Sequence, residues 1–184
     1  AGTYYVYVKG EIAASMENVA EAVKIANETM GVVLDSDQRY IWKRARKTAQ
    51  PRLSDIAAST EDASAGSIAQ CINVMLQKEG VNMNVQALLE SGETPKSVLR
   101  NTLKERTVLD LTGCSTDEIL YYVSLGTPVF AMTGNDSAVL VVGYDSTGVL
   151  LYEPGTDATV RKTLAEADAL FANAGNVFFT YLLE

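Results

Sequence analysis

Ser137–Pro154 reads SAVLVVGYDSTGVLLYEP. Two apolar runs, Ser137–Tyr144 and Val149–Tyr152, flank the turn Asp145–Gly148, so this stretch predicts a β-hairpin. Pro128–Met132 supplies a strand before it and Val177–Leu183 a strand after it. Thr163 and Glu166 form a capping box that opens a helix to Ala174. Upstream, Ser115-Thr116-Asp117-Glu118 is a second capping box, opening a helix through Ile119, Leu120, Tyr122 and Val123 to Gly126. Thr107–Leu111 reads as a strand, Val85–Leu89 as a helix, and Pro95–Lys104 as a helix entered through Thr94. Ile68, Cys71, Ile72, Met75 and Leu76 recur at helical spacing, so a helix from Ser67 to about Glu79 buries one face. Helices first and antiparallel strands afterwards define an α+β domain over residues 67–184.

The first 46 residues read as a separate small unit. Thr3–Lys9 is aromatic and β-branched and predicts a strand, Lys9-Gly10 a turn and Glu11–Ala14 a short return strand. Ser15 is the expected N-cap of a helix whose Met16, Val19, Ala20, Val23, Ala26 and Met30 share a face, with Gly31 ending it. Val32–Leu34 and Arg39–Lys43 follow as strands joined by Asp35–Gln38, giving β-β-α-β-β. So few residues make a small core, and the unit is expected to lean on the rest. Residues 47–66, rich in small and polar residues, read as a linker.

Composition restricts the chemistry. The 184 residues include no histidine, which excludes Cys-His and Ser-His-Asp machinery within the chain and His-based zinc sites. The net charge is −8: residues 1–50 carry +1 and residues 51–184 carry −9. An acidic body repels phosphate backbones, so no nucleic-acid partner is expected. Arg39, Lys43, Arg44, Arg46 and Lys47 form a basic cluster around Tyr40 and Trp42; it reads as a solvated edge or as a surface docked against the acidic second segment. Tyr4, Tyr5, Tyr7, Tyr40 and Trp42 are expected to pack mainly within the small unit, and any exposed aromatic face would be a binding surface. No run is long enough to span a membrane, no signal-peptide pattern is present, and no phosphate loop or EF-hand-type motif calls for a cofactor. Cys71 and Cys114 are too few for a disulfide scaffold and read as free thiols, although a bridge between them stays open.

Three stretches carry a resemblance to a family. Val74–Val81 (VMLQKEGV) closes a helix with an aliphatic pair and a glycine, Ser115–Met132 holds a helix followed by Gly126-Thr127-Pro128-Val129, and Ser137–Pro154 runs from a strand through Gly143-Tyr144-Asp145 to Glu153-Pro154. In this order they resemble the papain-like cysteine peptidases that process bacteriocins with double-glycine leaders, over roughly residues 60–182. The resemblance implies a papain-like fold, a peptide cleft and four functional positions. The nucleophilic Cys falls on Ser67, the His on Ser137, the orienting Asp on Glu153 and the oxyanion-stabilising Gln on Glu61. The Gly-Pro that follows the nucleophile in the family falls on Ile68-Ala69. All four functional positions depart from the family pattern. A carboxylate at position 61 opposes a developing oxyanion, and Ser67 at a helix start reads locally as an N-cap.

The expectation is therefore a non-catalytic, bacterial, peptidase-like domain that binds a peptide or protein partner in a groove lined by Glu61, Ser67, Ser137 and Glu153. Two other readings stay open: a thiol enzyme using Cys71 or Cys114, and a structural domain of a larger cell-surface protein. The sequence does not give the compartment; an extracellular or cell-surface setting is the one suspected.

Overall fold

A computed structural model describes residues 2–183. The N-terminal unit is a four-stranded antiparallel sheet of β1 (Tyr4–Val8), β2 (Glu11–Met16), β3 (Val32–Asp35) and β4 (Tyr40–Trp42), in the order β2-β1-β3-β4. Helix α1 (Val19–Thr29) packs on the face that carries Val6 and Val33. The helix starts later than the sequence suggests. Ser15 pairs with Tyr5 inside β2, and Asn18 is the N-cap, accepting from the Glu21 N–H at 3.0 Å. Strand pairing with β1 extends the return strand past the expected cap, a tertiary preference that overrides a local one. Gly31 follows α1 where the chain passes over β1: a Cβ there would sit 2.4 Å from the Tyr7 carbonyl oxygen.

The remainder holds α2 (Ser67–Lys78), α3 (Val85–Glu90), α4 (Pro95–Thr102), β5 (Thr107–Asp110), α5 (Thr116–Ser124), β6 (Val129–Met132), β7 (Ala138–Tyr144), β8 (Gly148–Glu153), β9 (Ala158–Thr163), α6 (Leu164–Asn173) and β10 (Phe178–Leu182). Its strands form one antiparallel sheet ordered β5-β10-β6-β7-β8-β9. Both expected capping boxes are present, Ser115 with Glu118 and Thr163 with Glu166. β9 was not expected. It is an edge strand whose exposed positions Thr159, Arg161 and Thr163 dilute the apolar signal, and charged residues suit such an edge.

Every residue of β7 is buried because both faces of the sheet are covered. Leu140, Val142 and Tyr152 pack with α2, α3 and α4, whereas Val139, Val141, Leu151 and Phe178 pack with α5, α6 and the N-terminal unit. That second cluster runs without interruption from Val6, Val23 and Trp42 into Leu111, Cys114 and Ile119. The Trp42 indole N–H donates to the Glu118 carbonyl at 2.7 Å, and the Tyr122 hydroxyl donates to the Ile41 carbonyl at 2.8 Å. The small unit thus shares a core with the larger part, as its size requires.

Residues 47–66 are irregular, as a linker would be, but they are not loose. After one 3-10 turn (Lys47–Ala49), the Leu53 N–H donates to the Val142 carbonyl at 2.8 Å and the Tyr144 N–H to the Pro51 carbonyl at 3.1 Å. β6 pairs only with residues 138–141, so this stretch occupies the edge of β7 beyond it. Gly143 permits the approach; a Cβ there would lie 2.8 Å from the Pro51 carbonyl oxygen.

Candidate functional site

Helix α2 aims its first turn at the start of β7. Gly66 is its N-cap and provides no side-chain bond, so Ser67 is the first helical residue and not the cap. The freed hydroxyl reaches across the fold: Ser67 Oγ accepts from the Ala138 N–H at 3.0 Å. The two segments that the resemblance pairs as nucleophile and base regions are therefore in contact.

The contact runs through Ala138, not Ser137. Ala138 and Leu140 belong to the cluster under α2, and Val139 belongs to the opposite one. Alternation along a strand places Ser137 with Val139, on the side away from α2. Its hydroxyl instead accepts from Thr133 Oγ1 at 2.9 Å within the β6–β7 turn. Glu153 behaves likewise. Tyr152 packs under α2, so Glu153 points to the other side, and it is exposed at the end of β8. The expected groove joining Ser67, Ser137 and Glu153 is not assembled. Neither Ala138 nor Ser137 can take a proton from Ser67.

Glu61 is also placed differently. Its Oε2 accepts from the Val85 N–H at 2.9 Å and from Asn73 Nδ2 at 3.1 Å, and its Oε1 accepts from the Gln86 N–H at 2.9 Å. The carboxylate closes the open N–H groups of the first turn of α3, where negative charge is favoured. Asn73, fully buried, also donates to Thr60 Oγ1 and the Met83 carbonyl. Glu61 is an anchor for α3, and a depression of about 470 Å³ opens beside it, lined by Asn84, Gln86 and Glu90.

One turn below Ser67, Cys71 is fully buried, and burial pushes its thiol far above the usual range. Cys114 is also free and buried; burial and then the nearby Glu118 push it up to about 12. Tyr152 packs in the same cluster as Cys71 and donates to Asp157 Oδ1 at 2.5 Å; burial, then that bond, raises the phenol. The sequence places Tyr152 in a strand but does not show its bond to Asp157, a residue it does not single out. Among the described residues, no group of three His, Cys, Asp or Glu is placed to hold a metal, and no helix is long and apolar enough to cross a membrane.

The basic cluster divides. Lys47 pairs with Asp117 and an Arg39 amino group donates to Thr107 Oγ1 at 2.9 Å, both reaching the second segment. Arg44 stays local, donating to Asn27, and Lys43 lies 3.8 Å from the Tyr40 ring centroid.

No protein-family model matches the chain, and no curated protein matches it. A solved structure does: that of a Bacillus anthracis protein assigned to the C39-like peptidases, with a TM-score of 0.63 at 17% identity, covering 73% of this chain and 98% of that one. At this identity the likeness shows the fold, and the fold is that of a C39-like peptidase.

Proposed function

We propose that this chain is a non-catalytic, peptidase-like domain that binds a peptide or protein partner. The observation that carries the reading is the state of Ser67. It stands at the start of α2 against β7, its hydroxyl accepts from a backbone N–H, and the chain contains no imidazole to take its proton. The papain-like assignment is supported by three helices, α2 to α4, preceding a sheet whose hairpin β7–β8 packs on α2.

A thiol enzyme has less support. A thiolate is the reactive form, and burial opposes it at both cysteines. Partner binding does not rest on the groove expected from sequence, because Ser137 and Glu153 face away from Ser67. The test is incubation of the purified chain with a random peptide library. Selective retention of intact peptides supports the reading; cleavage that disappears in Ser67→Ala overturns it.

A further inference from the structure

Among the described residues, five large apolar side chains are exposed: Ile12, Met30, Tyr40, Leu125 and Leu183, at 57%, 83%, 47%, 47% and 46%. Scattered single exposures are ordinary, but these are not scattered. Tyr40, Leu125 and Leu183 line one depression of about 240 Å³ between β4, the end of α5 and the end of β10. Met30 and Tyr40 line an adjoining depression of about 390 Å³ with Tyr7, Val32 and Leu34. Ile12 pairs with Tyr7 in the β1–β2 register and extends the same side. The band lies on the face of the N-terminal sheet opposite α1: Val6 and Val33 face the helix, so Tyr7, Val32 and Leu34 face outward.

Met30 adds a second feature. It is the most exposed of the five and takes a left-handed backbone (φ 58°), where helix ends favour Gly or Asn. A strained backbone that displays a large apolar side chain to water brings no gain to the isolated fold.

The charge of the band indicates its occupant. On a chain with 23 Asp and Glu against 15 Lys and Arg, no described carboxylate lines either depression. The charged lining residues are Lys9 and Arg39, and Lys43 sits over the Tyr40 ring. Asp35 balances Arg39 at 3.2 Å, which leaves Lys9 and Lys43 to set the sign. We propose that this band is a docking surface for a segment of another polypeptide in which apolar side chains alternate with carboxylates. The apolar side chains would occupy the two depressions that meet at Tyr40, and the carboxylates would face Lys9 and Lys43. The proposal deepens the partner-binding reading and rests on it only for the existence of a partner.

The test uses a fluorescein-labelled short peptide alternating Glu with Leu and Phe, and its counterpart with Lys in place of Glu, titrated by anisotropy. The Glu peptide is expected to bind, and the Lys peptide about tenfold more weakly or worse. Tyr40→Ser and Leu125→Ser, both at exposed positions, are each expected to weaken binding about tenfold, and so is the double change Lys9→Glu with Lys43→Glu. Circular dichroism matching the parent shows that each variant is folded. Equal affinity for the two peptides, no binding at millimolar concentration, or indifference to all three variants overturns the proposal. A dimer in sedimentation that Leu125→Ser dissolves also overturns it, assigning the band to a second copy. Peptide cleavage in the same samples would instead sink the non-catalytic reading and leave the band untouched.

Discussion

Replacing Glu61 by alanine tests whether that residue is an anchor or part of a degenerate active site. The substitution removes the acceptor of three hydrogen bonds, from Val85 N, Gln86 N and Asn73 Nδ2. A bond to a charged group contributes about 1.5–3 kcal/mol when its partners stay dry. Here Gln86 lies beside an open depression, so its N–H rehydrates; Val85 and Asn73 are both fully buried, but Asn73 Nδ2 keeps Thr60 Oγ1 and the Met83 carbonyl as acceptors. The expected loss is therefore about 2–3 kcal/mol, well below three full bonds. Glu61→Gln keeps one carbonyl oxygen but turns an amide NH2 donor toward an N–H, so about 1–2 kcal/mol is expected. Urea unfolding can be followed through Trp42, the only tryptophan. With a slope of about 2 kcal/mol/M, Glu61→Ala should lower the midpoint by about 1 M. A variant within about 0.5 kcal/mol of the parent would refute the anchor and restore position 61 to the cleft.

The remaining predictions concern the thiols, the shared core, acid stability and restored chemistry. A thiol reagent at pH 8 should label neither Cys71 nor Cys114 in the folded chain and both in urea; fast labelling of either when folded would revive the thiol-enzyme reading. Trp42→Phe removes the indole bond to the Glu118 carbonyl and opens a gap in the shared core, so it should cost about 2–3 kcal/mol while unfolding stays a single transition; a separate early transition for residues 1–46 would contradict the continuous core. Asp145 is held below the usual carboxylate range by the two-pronged bond from Arg161, and Asp110 is held below it by Thr112 and Lys96 against the opposing effect of burial. Depressed carboxylates stabilise the fold above their unfolded pKa of about 4, and this contribution fades as the pH falls below it. Asp145→Asn should therefore flatten the loss of stability in acid, and an unchanged profile would remove Asp145 from the account. The double variant Ser67→Cys with Ser137→His should not hydrolyse peptides, because position 137 faces away from α2 and Glu61 is bound to α3; robust hydrolysis would show both placements to be wrong.

Much of the fold could be read locally. The capping boxes at Ser115 and Thr163, the period of α2 and the β7–β8 hairpin each rest on signals a few residues long, and each appears where expected. What failed depends on partners distant in sequence. Ser15 looked like a cap until pairing with Tyr5 drew it into a strand, and residues 51–53 looked free until the open edge of β7 claimed their backbone. The candidate site divides the same way. Counting along the chain paired Ser67 with Ser137, and Ser67 lies against the residue that follows Ser137. It did not say which face of β7 or β8 each side chain would take, because the alternation is fixed only once α2 is known to cover Ala138, Leu140 and Tyr152. The Glu61 carboxylate was out of reach of the sequence because two of its three partners lie on α3, more than twenty residues away, and the third, Asn73, on α2.

The central proposal is that this chain has a C39-like peptidase fold and does not cleave peptides. The most direct measurement is mass spectrometry of a complex peptide mixture incubated with the purified parent chain and, in parallel, with Ser67→Ala. The account predicts identical peptide inventories in the two samples. New termini that appear with the parent and vanish with Ser67→Ala would contradict it.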